Sequence, residues 1–246
     1  MMRRLLSALL VVVLSVLTPA AASPQKRVDD RTRREAARAF ERGRELMSAE
    51  QFEKAADAFT DAVKLDPLFV LAHYQLGQAN MNLHRYASAI KAFKDCVDAS
   101  RTLYSMMQTD RFEAERQRDD EIREARETVA LLQRTGRTLQ AARAQDYLTD
   151  LETKRSSIDP EFRPSAEVLL SLGSAYFRNG DREQAEAEWK AATEVNPRFG
   201  EAYSNLAVVY MTTGRKKEAE QAIKSAEKSG LRVNPQLKKD IAAMRP

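Results

Sequence analysis

The sequence predicts an all-α fold: a solenoid of helix-turn-helix repeats, four copies in two pairs, interrupted by a long helical hairpin. Three observations lead there. Gly43 recurs at Gly77, Ala55 at Ala89 and Phe59 at Phe93, each at a step of 34 residues. The same step returns later, where Tyr176 recurs at Tyr210, Ala185 at Ala219 and Trp189 at Ile223. Gly77 and Gly173 stand further apart, with about 62 residues beyond one period between them. A unit of this length is a helix pair that cannot bury its apolar face alone, so stacked neighbours bury it for each other.

The chain opens with the pattern of an export signal over residues 1–22. Arg3 and Arg4 form a basic start, Leu5 to Leu17 an apolar core broken only by Ser7 and Ser15, and Ala20-Ala21-Ala22 a small-residue cleavage site after Thr18-Pro19. A membrane span needs ~20 apolar residues, so the short core favours cleavage over an uncleaved inner-membrane tether. The expected destination is the periplasm of a bacterial cell envelope. No cysteine follows the core to carry a lipid anchor.

A linker is expected over residues 23–31 and copies one and two over 32–100. Thr32 and Glu35 have the spacing of a capping box for the first helix. Within each copy two apolar-periodic segments flank a polar turn. In the third, Leu169, Leu172, Gly173 and Tyr176 share one helical face, Asn179-Gly180-Asp181 is the turn, and Ala185, Trp189 and Ala192 line the second helix. Glycine and alanine let the helices approach, and the aromatic fills the space beside them.

Residues 101–159 form the charged insertion. Arg101 to Arg134 is rich in Glu, Arg, Ala and Gln, Thr135-Gly136-Arg137 is a turn, and Ala141, Ala144, Leu148 and Leu151 follow at helical spacing. Nothing between Ala87 and Gln133 breaks a helix outright, so one helix of ~70 Å is allowed, as is a break near Ser100 or at Thr109-Asp110. The run Arg111 to Glu127 is too charged to bury, and Arg116–Asp120, Asp119–Arg123 and Arg123–Glu127 have the spacing of helical ion pairs. Two readings stand: a solvated spacer, or an arm for a partner or for self-association through residues 101–158.

Copies three and four occupy residues 160–230. Pro67-Leu68-Phe69, Pro160-Glu161-Phe162 and Pro197-Arg198-Phe199 mark exits between copies, with each Phe expected to pack at the start of the next. Residues 231–246 form a terminal helix opened by Pro235, with Leu237, Ile241 and Met244 on one side and Lys238, Lys239 and Asp240 facing water.

These residues resemble the tetratricopeptide repeat family. Its pattern is a Leu-Gly pair, a Tyr one turn later, a small residue opening the second helix, then an aromatic, an Ala and a Pro. The first copy matches at Gly43, Ala55, Phe59, Ala62 and Pro67, and the second at Leu76-Gly77, Ala89, Phe93 and Cys96. The third matches at Leu172-Gly173, Tyr176, Ala185, Trp189, Ala192 and Pro197, and the fourth at Leu206-Ala207, Tyr210, Ala219, Ile223 and Ala226. Arg42, Leu46, Asn80 and Leu231 depart from it.

The resemblance implies a scaffold that binds a protein or peptide in a concave groove lined by the first helices. Carried over by register, the groove residues are Phe40, Arg44 and Met47; Tyr74, Gln78 and Met81; Leu170, Ser174 and Phe177; and Ser204, Val208 and Met211. An apolar stripe rich in methionine would suit a peptide with apolar anchors, unless neighbouring helices cover it. A family subclass clamps a terminal carboxylate with cationic residues. The matching places hold Phe40, Arg44, Gln75, Leu71 and Ser171, where Arg44 alone is cationic, so that clamp is not expected.

Other classes find little support. Loss of Arg3 and Arg4 with the signal lowers the formal charge from +4 to +2, and the charges are interleaved, which argues against nucleic acid. Cys96, the single cysteine, shares a column with Ala62, Ala192 and Ala226 and reads as a small core residue. His73 and His84 fit no metal-ligand spacing, and no nucleophile–base motif or phosphate-binding glycine loop occurs. A non-enzymatic protein without cofactor, metal or small-molecule substrate is expected.

Overall fold

The structure, a computed structural model, describes residues 28–153 and 162–244, with the backbone alone at 139 and 150. The expected export signal lies outside the described residues. Among those described there are ten helices and no strand. Four antiparallel pairs carry the repeats: α1 (Asp30–Ser48) with α2 (Phe52–Leu65), α3 (Val70–Asn82) with α4 (Tyr86–Arg134), α6 (Ala166–Asn179) with α7 (Arg182–Val195), and α8 (Gly200–Thr212) with α9 (Lys216–Lys228). Between them α5 (Thr138–Thr153) folds back along α4, and α10 (Pro235–Ala243) ends the array.

The first three pairs each close on one glycine–aromatic contact. A Cβ on Gly43 would sit 2.5 Å from the Phe59 ring, and one on Gly173 2.6 Å from Trp189 Nε1; Gly77 meets Phe93 in the same way. The fourth pair solves the contact differently, with Ala207 against the smaller Ile223, both buried. The next column, Ala62, Cys96, Ala192 and Ala226, has no exposed surface in any copy. Burial pushes the Cys96 thiol up to about 11, so it stays protonated and inert at neutral pH.

The turn in each pair needs one left-handed residue. Gly180 and Gly214 supply it in the second half, whereas Glu50 and His84, both at φ 56°, occupy the same column in the first. A side chain in that conformation costs about 1–2 kcal/mol. It is held because the next amide reaches back across the turn, from Gln51 to the Leu46 carbonyl and from Arg85 to that of Asn80.

The cap of α1 differs from expectation. Asp29, not Thr32, caps it, accepting from the amides of Arg31 and Thr32 at 2.9 and 3.0 Å and from the Thr32 hydroxyl at 2.8 Å. Those hydrogen bonds, the Thr32 amide foremost, hold the Asp29 carboxyl below its usual range. A carboxylate is the stronger acceptor at the positive end of a helix, and Glu35 instead pairs with Arg31. The terminal helix follows the sequence: Ile241 is buried, and Leu237 and Met244 pack on the last core.

α4 runs unbroken for 49 residues, ~73 Å. Neither proposed break occurs, because the hydroxyls turn inward: Ser100 donates to the Cys96 carbonyl at 2.8 Å and Thr109 to that of Ser105 at 3.0 Å. The first turns of α4 do the ordinary work of a repeat; the rest leaves the array as a stem. α5 covers its far half, where Ile122, Ala125 and Val129 meet Leu148 and Leu151, and Arg126 pairs with Glu152 at 2.6 Å. Ile122 and Ala125 are thus buried within a run expected to be wholly solvated, while Phe112 stays 58% exposed. Arg123 pairs one turn back with Asp120 rather than with Asp119 or Glu127.

The interruption in sequence is not one in space. Ala89 and Phe93 of α4 form one cluster with Leu172 and Ala175 of α6, the same step by which other copies stack. The Tyr74 hydroxyl lies 3.2 Å from Ser171 Oγ, and Gln78 Nε2 donates to both at 3.0 and 3.2 Å. The exits show the consequence. Phe69 and Phe199 stand just before α3 and α8 and pack into the array, Phe69 at 4.9 Å from Phe40. Pro160 and Glu161 lie outside the described residues, and Phe162 does not pack at the start of its copy. It sits three residues before Ser165, the cap of α6, against Tyr104 of α4 at 5.6 Å and beneath Arg101 at 5.4 Å. The longer junction carries it onto the stem.

Candidate functional site

Buried residues on the first helices α1, α3, α6 and α8 face their partner helices and the next copy, which leaves one stripe of exposed and half-buried residues on each. On α3 that stripe is Leu71, Gln75, Gln78 and Asn82, at helical spacing. On α6 it is Glu167, Ser171, Ser174 and Arg178, on α8 Glu201, Asn205, Val208 and Thr212, and on α1 Ala37, Glu41, Arg44 and Ser48.

Four of the twelve expected groove residues lie on these stripes: Arg44, Gln78, Ser174 and Val208. Arg44 is exposed and pairs with Glu41 at 3.1 Å, and the Ser174 hydroxyl donates to the Leu170 carbonyl at 2.8 Å. The remaining eight lie off the open stripes. Phe40 is 7% exposed and packs on Phe59 and Phe69, so it cannot meet a ligand. Met47 packs on the first core cluster, and Tyr74 and Met81 on the junction of copies two and three. Leu170, Phe177 and Met211 pack on the last core cluster, Phe177 with its ring 5.7 Å from Trp189, and Ser204 is half-buried. The recurring methionines are half-buried and pack against the core clusters. An unbranched, polarizable side chain suits such packing.

The open face is therefore mostly amide and hydroxyl. Its middle, Gln75 and Gln78 of α3 with Ser171 and Ser174 of α6, carries no charged side chain, and Leu71, 57% exposed, is the one large apolar residue of the first helices α1, α3, α6 and α8 left so open. The spacing of Gln75, Gln78 and Asn82 was visible in the sequence, but no rule separates an open polar face from one covered by the next copy.

His73 is 8% exposed and its Nε2 lies 3.0 Å from the Pro67 carbonyl, which it meets as a donor across the turn before α3. Its role is to pack and brace. Among the described residues no group of three or more His, Cys, Asp or Glu is placed to hold a metal ion, and no helix is long and apolar enough to cross a membrane.

Ion pairs brace the second helices, a feature the repeat pattern did not reveal. Arg215 grips both carboxylate oxygens of Glu186, stacks 4.5 Å over the Tyr210 ring, and shares Glu186 with Lys190 at 2.7 Å. The Arg215 guanidinium holds the Glu186 carboxyl below its usual range. Arg85, in the same column, pairs with Glu53 at 2.7 Å, but both are exposed and the pair is weak. That shared column was the available signal.

A family model described as tetratricopeptide repeat matches residues 40–102 and 170–230, about half of the chain, and agrees with this architecture. The small glutamine-rich tetratricopeptide repeat-containing protein 2 of Mycosarcoma maydis is 34% identical over 107 residues, which is 42% of this chain and 29% of that protein. The chain thus spans less than a third of that relative's length. Among solved structures, PilW, described as a widely conserved type IV pilus biogenesis factor, is 16% identical with a TM-score of 0.39, covering 85% of this chain and 86% of that one. TTC0263, a thermophilic repeat protein of Thermus thermophilus, is 20% identical with a TM-score of 0.34, covering 85% and 98%.

Proposed function

This chain belongs to the tetratricopeptide repeat family, and on that premise we propose that it is a scaffold that binds a protein or peptide partner along the open stripes of α3, α6 and α8. Leu71 carries the reading. A large apolar side chain left exposed among Gln75, Gln78 and Asn82 marks a contact for an apolar group. The surrounding amides and hydroxyls suit the main chain of an extended segment, whose N–H and C=O groups need partners when water leaves.

The pattern of residues 1–22 supports export, with the array working in the cell envelope. Mass spectrometry of the chain recovered from cells tests this. A mature start at Ser23 is expected; an intact Met1 would mean that the segment stays as a tether.

The groove itself is tested by a photo-crosslinking residue placed in living cells at Leu71, at Asn205, and at Lys91 on α4 as a control. The same adduct is expected from Leu71 and Asn205 and not from Lys91, and Gln78→Ala should weaken both. Equal adducts from all three positions, or none from the two stripe positions, would overturn the reading.

A further inference from the structure

The α4–α5 arm divides its charge along its length. Residues 128–145, its far end, hold Arg134, Arg137 and Arg143 and no acid. Residues 110–127, just below, hold eight acids against five arginines. The end is +3 and the stem −3. The two blocks do not neutralise each other within the chain. Arg134, Arg137, Glu121 and Glu124 are all exposed, and none of these charged groups has an ion pair or hydrogen bond among the described residues.

Glu121, Glu124, Thr128 and Leu131 follow one another at steps of 3, 4 and 3 and so share one face of α4. Leu131, 62% exposed, is the most open large apolar residue of the described chain, and Tyr147 of α5, 54% exposed, stands beside the same face. Glu121, Glu124, Thr128 and Tyr147 line a shallow cleft there of about 240 Å³.

We propose that this face docks a second copy of the same chain, arm against arm and antiparallel. Two copies related by a two-fold axis near residue 129 bring Arg134, the last residue of α4, opposite Glu124, and carry Arg137, in the turn that follows, towards Glu121. Each contact then occurs twice, as an isologous interface requires. The arginine ends reach the clefts beside Tyr147, where a guanidinium gains both carboxylates and an aromatic face. The Leu131 side chains flank the axis and cover each other. Such a dimer holds two repeat arrays at opposite ends of the paired arms, presenting two grooves at once. The inference is independent of what the groove binds.

The overlap spans only residues 121–134 of α4, about 21 Å of helix, and the turn beyond it, so the dimer is weak and depends on salt. Sedimentation of residues 23–246, which contain every described residue, tests it. At ~50 mM salt the weight-average mass should climb with concentration towards twice the monomer, and at ~0.5 M salt, where the screening length falls to a few ångströms, it should fall back. R134E/R137E and E121R/E124R should each be monomeric at low salt with unchanged helical circular dichroism. Mixed together they should associate, because the swapped charges again meet. A chain that is monomeric at every concentration at low salt would overturn the proposal. So would a dimer that survives R134E/R137E, or folded variants that fail to associate on mixing. Binding of the wild-type arm to anionic vesicles alone, without self-association, would mean that the basic end serves a membrane, and would overturn it too.

Discussion

Replacing Phe93 with alanine is expected to cost the array about 3–5 kcal/mol, the range for deleting a fully buried aromatic ring. Phe93 has no exposed surface and belongs to two contacts at once. It fills the space left by the missing Cβ of Gly77 inside its own copy, and it lies in the cluster with Leu172 that joins copies two and three. The converse change, Gly77→Ala, drives a methyl into the ring and should cost about 1–3 kcal/mol as overpacking. The fourth copy shows how the two positions depend on each other, since it places Ala207 against Ile223. Importing that solution as G77A/F93I should therefore cost less than its two single changes together. Urea unfolding followed by circular dichroism measures all of these. Strictly additive losses in that cycle would show that the glycine–aromatic contact is not a coupled unit.

Leu172→Ala should both destabilise the chain, by about 2–5 kcal/mol, and change how it unfolds. Leu172 is 4% exposed and stands where α6 meets α4, so it belongs to the junction that re-joins the array after the insertion. Stacked repeats are held by nearest-neighbour contacts, so weakening one junction separates the flanking blocks. Wild-type protein should unfold in one transition and L172A in two. Cys96 reports the opening, because its thiol has no exposed surface in the folded chain. It should stay protected from a thiol-reactive probe in the wild type and label at lower urea in L172A. A single transition with unchanged thiol protection would place the weak point of the array elsewhere.

The fold is largely legible in the sequence. Gly43, Gly77 and Gly173 announce close helix contacts, and the alanine column predicts burial in every copy where it stands, because both follow from spacing within one helix pair. Leu148 and Leu151 likewise showed which face of α5 is apolar. The groove was less legible. Positions such as Phe40, Met81 and Phe177 read as an apolar stripe, and whether a stripe is open depends on the angle at which the next pair stacks. That angle comes from residues a full repeat away. Asp29 was missed for a local reason: two plausible caps stood three residues apart, and the stronger acceptor won.

By itself, the sequence determined the helix pairs, their turns, their period and the family, since each depends on contacts within about 34 residues. Tertiary structure decided the rest. It alone showed that the two halves meet through Tyr74, Gln78 and Ser171, that α4 continues as one helix into the arm, and that Leu71 rather than the methionines stays open. The physical reason is distance along the chain. A helix face is written in residues three and four apart, but its cover comes from residues nearly a hundred positions away, as Ser171 is from Tyr74.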